Sequence, residues 1–133
     1  MFIALGIGIT VIIALFLGRT ATETSRVSEA IAQTRQTGEV DGLVAVVEAH
    51  PPDKQATKWD HVIGELWQAY ARREAARLVV EAAERSEATI LQYWIRQVLE
   101  VEPDIAEEVF SDAFLEEHFR PDVAARCGKS CGC

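Results

Sequence analysis

The chain has 133 residues, 49% of them hydrophobic, and carries a formal net charge of −8 with a sequence pI near 4.8. Acidic residues outnumber Lys and Arg by 21 to 13, which argues against a nucleic-acid partner because phosphate binding needs a concentrated basic surface. The length accommodates one small domain and not two.

The first predicted element is an apolar head, residues 1–19. No charged side chain occurs from Phe2 to Gly18, and a helix of that length, at about 1.5 Å per residue, spans about 26 Å of a hydrocarbon layer about 30 Å thick. The pattern favours a retained transmembrane anchor. A cleaved signal peptide and a buried core helix stay open as alternatives, although the head lacks the basic n-region typical of signal peptides.

Small residues in the head form two pairs at a spacing of four, Ala4 with Gly8 and Ala14 with Gly18. Such pairs let another membrane helix approach closely. We therefore predict a helix-packing notch at these four positions. The alternative is that they reflect only the ordinary abundance of Gly and Ala in membrane helices.

The charges beside the head predict its orientation. Arg19, Arg26 and Arg35 follow the span, whereas only the α-amino group precedes it. The positive-inside rule then places the body in the cytoplasm, and three cysteines, an odd number, suit a reducing compartment. The Arg-rich and Ala-rich composition indicates a bacterial chain, so the expected location is the bacterial inner membrane.

Residues 20–120 are predicted to form an all-α domain of about six helices. Gly38 is expected to end the first, Asp41 to cap the second, and Pro103 to begin the last. No Gly or Pro lies between Tyr70 and Glu74, so a single rod for the third and fourth stays open. The six segments are residues 22–38, 42–50, 55–70, 73–86, 88–102 and 103–119. Apolar residues at helical spacing predict the buried faces of the last four: Trp59, Val62, Ile63, Leu66, Trp67 and Tyr70 in the third, Leu78, Val79 and Ala82 in the fourth, Ile90, Leu91, Trp94, Ile95, Val98 and Leu99 in the fifth, and Ile105, Val109, Phe110, Ala113 and Phe114 in the sixth.

An internal repeat is visible within this domain. The tetrapeptide VVEA at Val46–Ala49 recurs at Val79–Ala82, an offset of 33 residues that also places HVIGELW over WIRQVLE. A short aliphatic helix is thus followed twice by a loop and a longer aromatic helix. In this rhythm residues 37–99 resemble HEAT-like helical repeats, with HPPDK and ERSEA where that class has an Asp-Pro-Asp turn. The resemblance implies an α-solenoid scaffold that binds other proteins and carries no conserved chemistry.

Catalytic signals are weak in the body. The sequence contains no HExxH, GxSxG or Gly-rich phosphate loop. Asp60 and His61 are adjacent, so their side chains diverge around a helix. We interpret His61 as a boundary residue of the core and the three tryptophans as core residues, and we expect the protein not to be an enzyme.

The tail, residues 121–133, carries the remaining chemistry. Cys127, Cys131 and Cys133 follow a C-x3-C-x-C spacing among glycines, and with His118 they make four candidate ligands for a soft metal such as zinc, copper or iron. The spacing matches neither a zinc ribbon nor an iron–sulfur signature. Disulfide chemistry, lipidation and no special role remain alternatives.

Taken together, these patterns predict a membrane-anchored accessory, scaffold or assembly subunit of a larger membrane protein complex, with the membrane and other subunits as partners. The alternative is a metal- or thiol-redox-handling factor whose helical domain positions the cysteine tail.

Overall fold

A computed structural model describes residues 26–126, and all regular structure in that range is helical. The all-α prediction is confirmed for this part of the chain. Within it, no helix has both the length and the apolar character needed to cross a membrane. The predicted anchor and tail ligands lie outside the described residues: Ala4, Gly8, Ala14, Gly18, Cys127, Cys131 and Cys133.

Eight helices occur between residues 26 and 126, seven of them before residue 121, against about six predicted for residues 20–120. Pro52, Pro103 and Pro121 each occupy the first position of a helix, where the missing N–H costs no hydrogen bond. The bounds are 26–37 for the described part of α1, then α2 Asp41–Glu48, α3 Pro52–Gln68, α4 Arg72–Arg85, α5 Ile90–Val101, α6 Pro103–Val109, α7 Asp112–His118 and α8 Pro121–Arg126.

The predicted signals at the α1–α2 junction are met in part. Gly38 has a φ of +77° and donates its N–H to the Thr34 carbonyl at 2.8 Å, as expected of a residue that ends a helix. Asp41 was expected to cap α2, but it is the first helical residue, and no side chain caps the helix from Val40. Its carboxylate therefore adds only favourable charge to the first turn.

Helix α4 lies at the centre of the domain, where it packs against α2, α3, α5 and α6. These contacts arrange six helices in two rows, α2–α4–α6 and α3–α5–α8. α1 joins the core through Val27, Ala30 and Ile31. Thr34 is also buried, and its hydroxyl donates to the Ala30 carbonyl at 2.8 Å, so no polar group of that side chain is left without a partner.

Four of the buried side chains of α4 are alanines. They form two adjacent pairs, Ala75–Ala76 and Ala82–Ala83, while Leu78 and Val79 fill the space between. Small side chains let neighbouring helix backbones approach closely, and well-packed interiors leave no room for added methylenes. The alanine pairs therefore allow one helix to contact four others.

Burial recurs from one helix pair to the next at a spacing of 32 residues, not the 33 of the VVEA match. At the offset of 33, Trp59 would align with half-buried Gln92 and Ile63 with half-buried Arg96. At 32, the buried apolar side chains Leu43, Val44, Val47, Trp59, Val62, Ile63 and Leu66 align with Ala75, Ala76, Val79, Leu91, Trp94, Ile95 and Val98, which are all buried. The tetrapeptide match is thus one residue out of register with the core.

The last predicted segment is divided into α6 and α7 at Phe110 and Ser111. Phe110 is extended, and the Ser111 hydroxyl accepts the Phe114 N–H at 3.0 Å, which caps α7. The break lets the two phenylalanine rings stack at 5.1 Å in the core, while Ala113, predicted in the buried stripe, is exposed. Ala124 of α8 is buried, so a packed helix occupies part of the range assigned to the tail.

Polar contacts join neighbouring helices within each of the two rows. The Trp94 indole N–H donates to the Asp60 carboxylate at 2.8 Å, which joins α5 to α3. Arg85 of α4 bonds Glu81 at 2.6 Å and Glu48 of α2 at 2.7 Å. These two carboxylates, with the Glu81 hydrogen bond as the larger cause, raise the pKa of the Arg85 guanidinium above its ordinary value.

The alanine pairs give a direct test of the packing. Ala82→Leu is expected to lower the free energy of unfolding by about 2 kcal/mol, because the added carbons have no space in the core. Ala45→Leu on the exposed side of α2 is the matched control, with an expected change within about 0.5 kcal/mol. Urea unfolding of the full chain in mild detergent, followed by far-UV circular dichroism, measures both. Equal effects at the two positions would contradict close packing at α4.

Candidate protein-binding surface

The third and fourth predicted helices are separate, and the turn between them has an unusual residue at its centre. The Ala71 N–H donates to the Leu66 carbonyl at 2.9 Å and the Tyr70 N–H to the Trp67 carbonyl at 3.1 Å. This hydrogen-bond pair is the Schellman motif, whose C′ residue is left-handed and usually glycine. Here the C′ residue is Tyr70, with a φ of +61°.

Tyr70 combines a costly backbone with an exposed side chain. A left-handed conformation costs an L-residue about 1–2 kcal/mol, and burial does not compensate, since the residue is 82% exposed. Tyr70 was predicted to lie on the buried face of its helix, and that prediction is wrong because the helix ends at Gln68. Residues held in such conformations cluster at binding sites.

Arg72 fixes the surroundings of the tyrosine ring. Its guanidinium carbon lies 4.6 Å from the Trp67 ring centroid and 5.2 Å from the Tyr70 ring centroid, within the range of cation–π attraction. An ion pair with Glu102, at 2.7 Å, connects it to the junction of α5 and α6. The guanidinium is thus held by three side chains, and the ring of Tyr70 is supported from one side.

The aromatic contacts continue across the second row of helices. Trp67 lies 5.9 Å from Trp94, and Trp94 lies 5.2 Å from Tyr93 in an edge-to-face arrangement. Arg96 lies 5.9 Å above Tyr93, and its guanidinium donates to the Ala124 carbonyl of α8 at 2.6 Å. The chain of rings and guanidinium groups therefore fixes Tyr70 to the rest of the fold through α3, α5 and α8.

Val101, next to Glu102 in the chain, is 46% exposed, and it is one of the two large hydrophobic residues that are exposed between residues 26 and 126. The other is Tyr70. We name Trp67, Tyr70, Arg72, Val101 and Glu102 the Tyr70 surface. Tyr, Trp and Arg are the residue types enriched at the energetic centres of protein interfaces.

His118, the described member of the predicted metal set, lines a cavity of about 310 Å³ between the α4–α5 and α7–α8 connections. Its ring lies 5.0 Å from Phe114, and its Nε2 lies 3.8 Å from the Glu117 carboxylate. Gln92 joins the neighbouring backbone, donating to the His118 carbonyl at 2.7 Å and accepting the Arg120 N–H at 2.6 Å. Val123 of α8 also lines the cavity, four residues before Cys127.

The structure separates the other histidines from this cavity. His61 is exposed on α3, not at the core boundary as predicted. The Nδ1 atom of His50 lies 2.9 Å from the Val46 carbonyl oxygen. Across residues 26–126, no three His, Cys, Asp or Glu side chains are grouped in a way that would hold a metal ion. Trp59 and Trp94 are buried as predicted, whereas Trp67 is half-buried at the Tyr70 surface.

Comparison of the chain with protein-family models, curated proteins and solved structures gives no match.

The backbone at Tyr70 predicts a gain in stability on mutation. Tyr70→Gly is expected to raise the free energy of unfolding by about 1 kcal/mol, because glycine adopts a positive φ without steric cost. Tyr70→Ala removes the ring but keeps a Cβ in the left-handed region, so it is not expected to show this gain. Urea midpoints of both variants in the same detergent decide the point. If the Tyr70→Gly protein were less stable than the Tyr70→Ala protein, backbone strain at residue 70 would be contradicted.

Proposed function

We propose that this chain is a membrane-attached α-helical scaffold, an accessory or assembly subunit of a larger membrane protein complex, and that the Tyr70 surface binds a protein partner. The observation that carries the proposal is the exposed Tyr70 ring, kept in a left-handed conformation that glycine would adopt without steric cost. Because that conformation lowers stability, we attribute its presence to a contact made outside the domain.

The pre-arrangement of the surface supports the same function. Arg72 is already placed between two rings and paired with Glu102, so a partner would order few additional rotamers on binding. Less lost side-chain freedom leaves more of the contact energy for affinity. An exposed aromatic ring supported by Arg72 is suited to an apolar pocket on a partner protein.

The helix arrangement supports a scaffold. Two rows of helices and the recurrence of burial every 32 residues are features of a short α-solenoid, here of HEAT-like character, with α1 and α7 outside the rows. Such folds present long surfaces on which other proteins dock. We therefore place the function of the body in protein binding.

The sequence supports membrane attachment. The uncharged stretch from Phe2 to Gly18 is the proposed single-pass anchor, with Ala4–Gly8 and Ala14–Gly18 as contact points for another membrane helix. The arginines that follow favour a cytoplasmic body at a bacterial inner membrane.

Purification of the tagged full chain from its native membrane in mild detergent tests the scaffold proposal. Tyr70→Gly should reduce the recovery of the co-purifying partner at least tenfold, because the ring is lost while the fold becomes more stable. Tyr70→Phe keeps the ring and its support from Arg72, so it should retain most of the partner.

Gln68→Ala is the matched control, because Gln68 is exposed and lies two residues before Tyr70 at the end of α3. This variant should behave as the unmodified chain. Recovery of the same partner in unchanged amount with Tyr70→Gly would contradict a role for this surface. Deletion of residues 2–18 should move the protein from the membrane pellet to the supernatant.

The second candidate function, a soft-metal site at the tail, is favoured by the position of His118. The histidine and Val123 line one cavity, and Val123 belongs to the helix that leads directly to Cys127. Three thiolates and one imidazole would complete a four-ligand set for zinc, copper or iron.

We expect the full chain to bind about one soft cation per molecule and to release protons on binding, because the thiols must ionise. Serine at Cys127, Cys131 and Cys133 together should abolish binding without loss of helicity. His118→Ala should weaken binding, whereas His61→Ala, on an exposed helix face, should not. Elemental analysis and thiol titration measure the result. Absence of metal from both the unmodified chain and the triple serine variant, with all thiols of the unmodified chain free, would contradict the site.

A further inference from the structure

A second concave surface lies on the row formed by α2, α4 and α6. It is a groove of about 460 Å³ that crosses α4 between the α1–α2 connection on one side and α6 on the other. Arg77 donates to the Gly38 carbonyl at 3.1 Å and so connects α4 to the α1–α2 connection, which forms the near wall of the groove. The lining residues are Gly38, Glu39, Val40, Asp41, Arg77, Val80, Glu81, Glu108 and Val109.

The groove is acidic at its rim. Four carboxylates and one guanidinium line it, a formal charge of −3. Glu108 is paired with Arg73 at 3.0 Å and Glu81 with Arg85 at 2.6 Å. The remaining two, Glu39 and Asp41, are exposed on the near wall, and no ion pair joins either of them to another residue of the range 26–126.

The floor of the groove is apolar. Val80 of α4 and Val109 of α6 line it and are half-buried, and Val40, which also lines it, is buried in the core. A groove with an apolar floor and charges of one sign at its edge fits a peptide that alternates apolar and oppositely charged side chains.

We propose that this groove binds a short basic segment of a partner protein, whose Arg or Lys side chains meet Glu39 and Asp41 and whose aliphatic side chains contact Val80 and Val109. Charge complementarity selects this partner. A nucleic-acid backbone or an anionic lipid surface would be repelled by the same carboxylates. The inference is independent of the Tyr70 surface, because the two share no residue.

The test uses a fluorescein-labelled peptide of alternating arginine and leucine, about eight residues long, and the full chain in an uncharged detergent. Fluorescence anisotropy should show saturable binding that weakens as salt is added, since the attraction is between exposed charges. The double variant Glu39→Gln/Asp41→Asn should weaken binding at least tenfold. A peptide with serine in place of leucine should also bind at least tenfold more weakly, because it cannot use the apolar floor.

The matched control is Glu65→Gln/Glu84→Gln, which removes the same charge from exposed positions on α3 and α4 outside the groove. It should leave the affinity within about twofold. Equal losses in the two double variants would mean attraction to the overall charge of −8 and would overturn the proposal. No saturable binding of the leucine peptide at low salt would also overturn it. A dimer of the full chain that the groove variant dissociates would assign the groove to a second copy instead.

Discussion

The fold depends on how closely helices can approach α4. With alanine at four of its buried positions, this helix contacts α2, α3, α5 and α6 at once, and larger side chains there would separate the two rows. The larger groups of the core, Trp59 and Trp94, belong to α3 and α5, which flank it. Trp94 has Asp60 as its hydrogen-bond acceptor. The Trp59 indole N–H has no partner between residues 26 and 126, so its burial is stabilised by apolar contact alone.

This packing places the candidate binding groups at the ends and outer side of the helices. Trp67 and Tyr70 lie at the C-terminal end of α3, and Val101 and Glu102 lie at the C-terminal end of α5. These two helices are neighbours in one row. Tyr70 and Glu102 are 32 residues apart and so occupy equivalent positions in the recurrence of burial, and the ion pair between Arg72 and Glu102 joins the two helix ends. In the proposed scaffold, this surface would be one on which a partner protein docks.

The sequence predicts the elements with strong periodicity and misses those decided by a single contact. The apolar positions of α3, α4 and α5 are found from their spacing, and Gly38 and Pro103 mark true boundaries. The break at Ser111 is missed because a helical pattern continues through Phe110 and Phe114. The Ser111 cap and the stacking of the two rings in the core together favour two short helices. Tyr70 is missed for a related reason. Its spacing fits the apolar face of α3, and no glycine signals that the helix ends before it.

The start of α4 shows why local preference and tertiary structure disagree at this site. Arg72 and Arg73 lie in the first turn of the helix, where the macrodipole disfavours positive charge, and Arg77 lies in the second turn. Tertiary hydrogen bonds offset this cost. Arg72 donates to Glu102 and Arg73 to Glu108, and Arg77 donates to the Gly38 carbonyl. Arginine suits these positions better than lysine because its planar group both stacks on Trp67 and donates to Glu102. Helix α4 therefore contributes Arg72 to the Tyr70 surface and Arg77 to the acidic groove, so partners at both would act on the same helix.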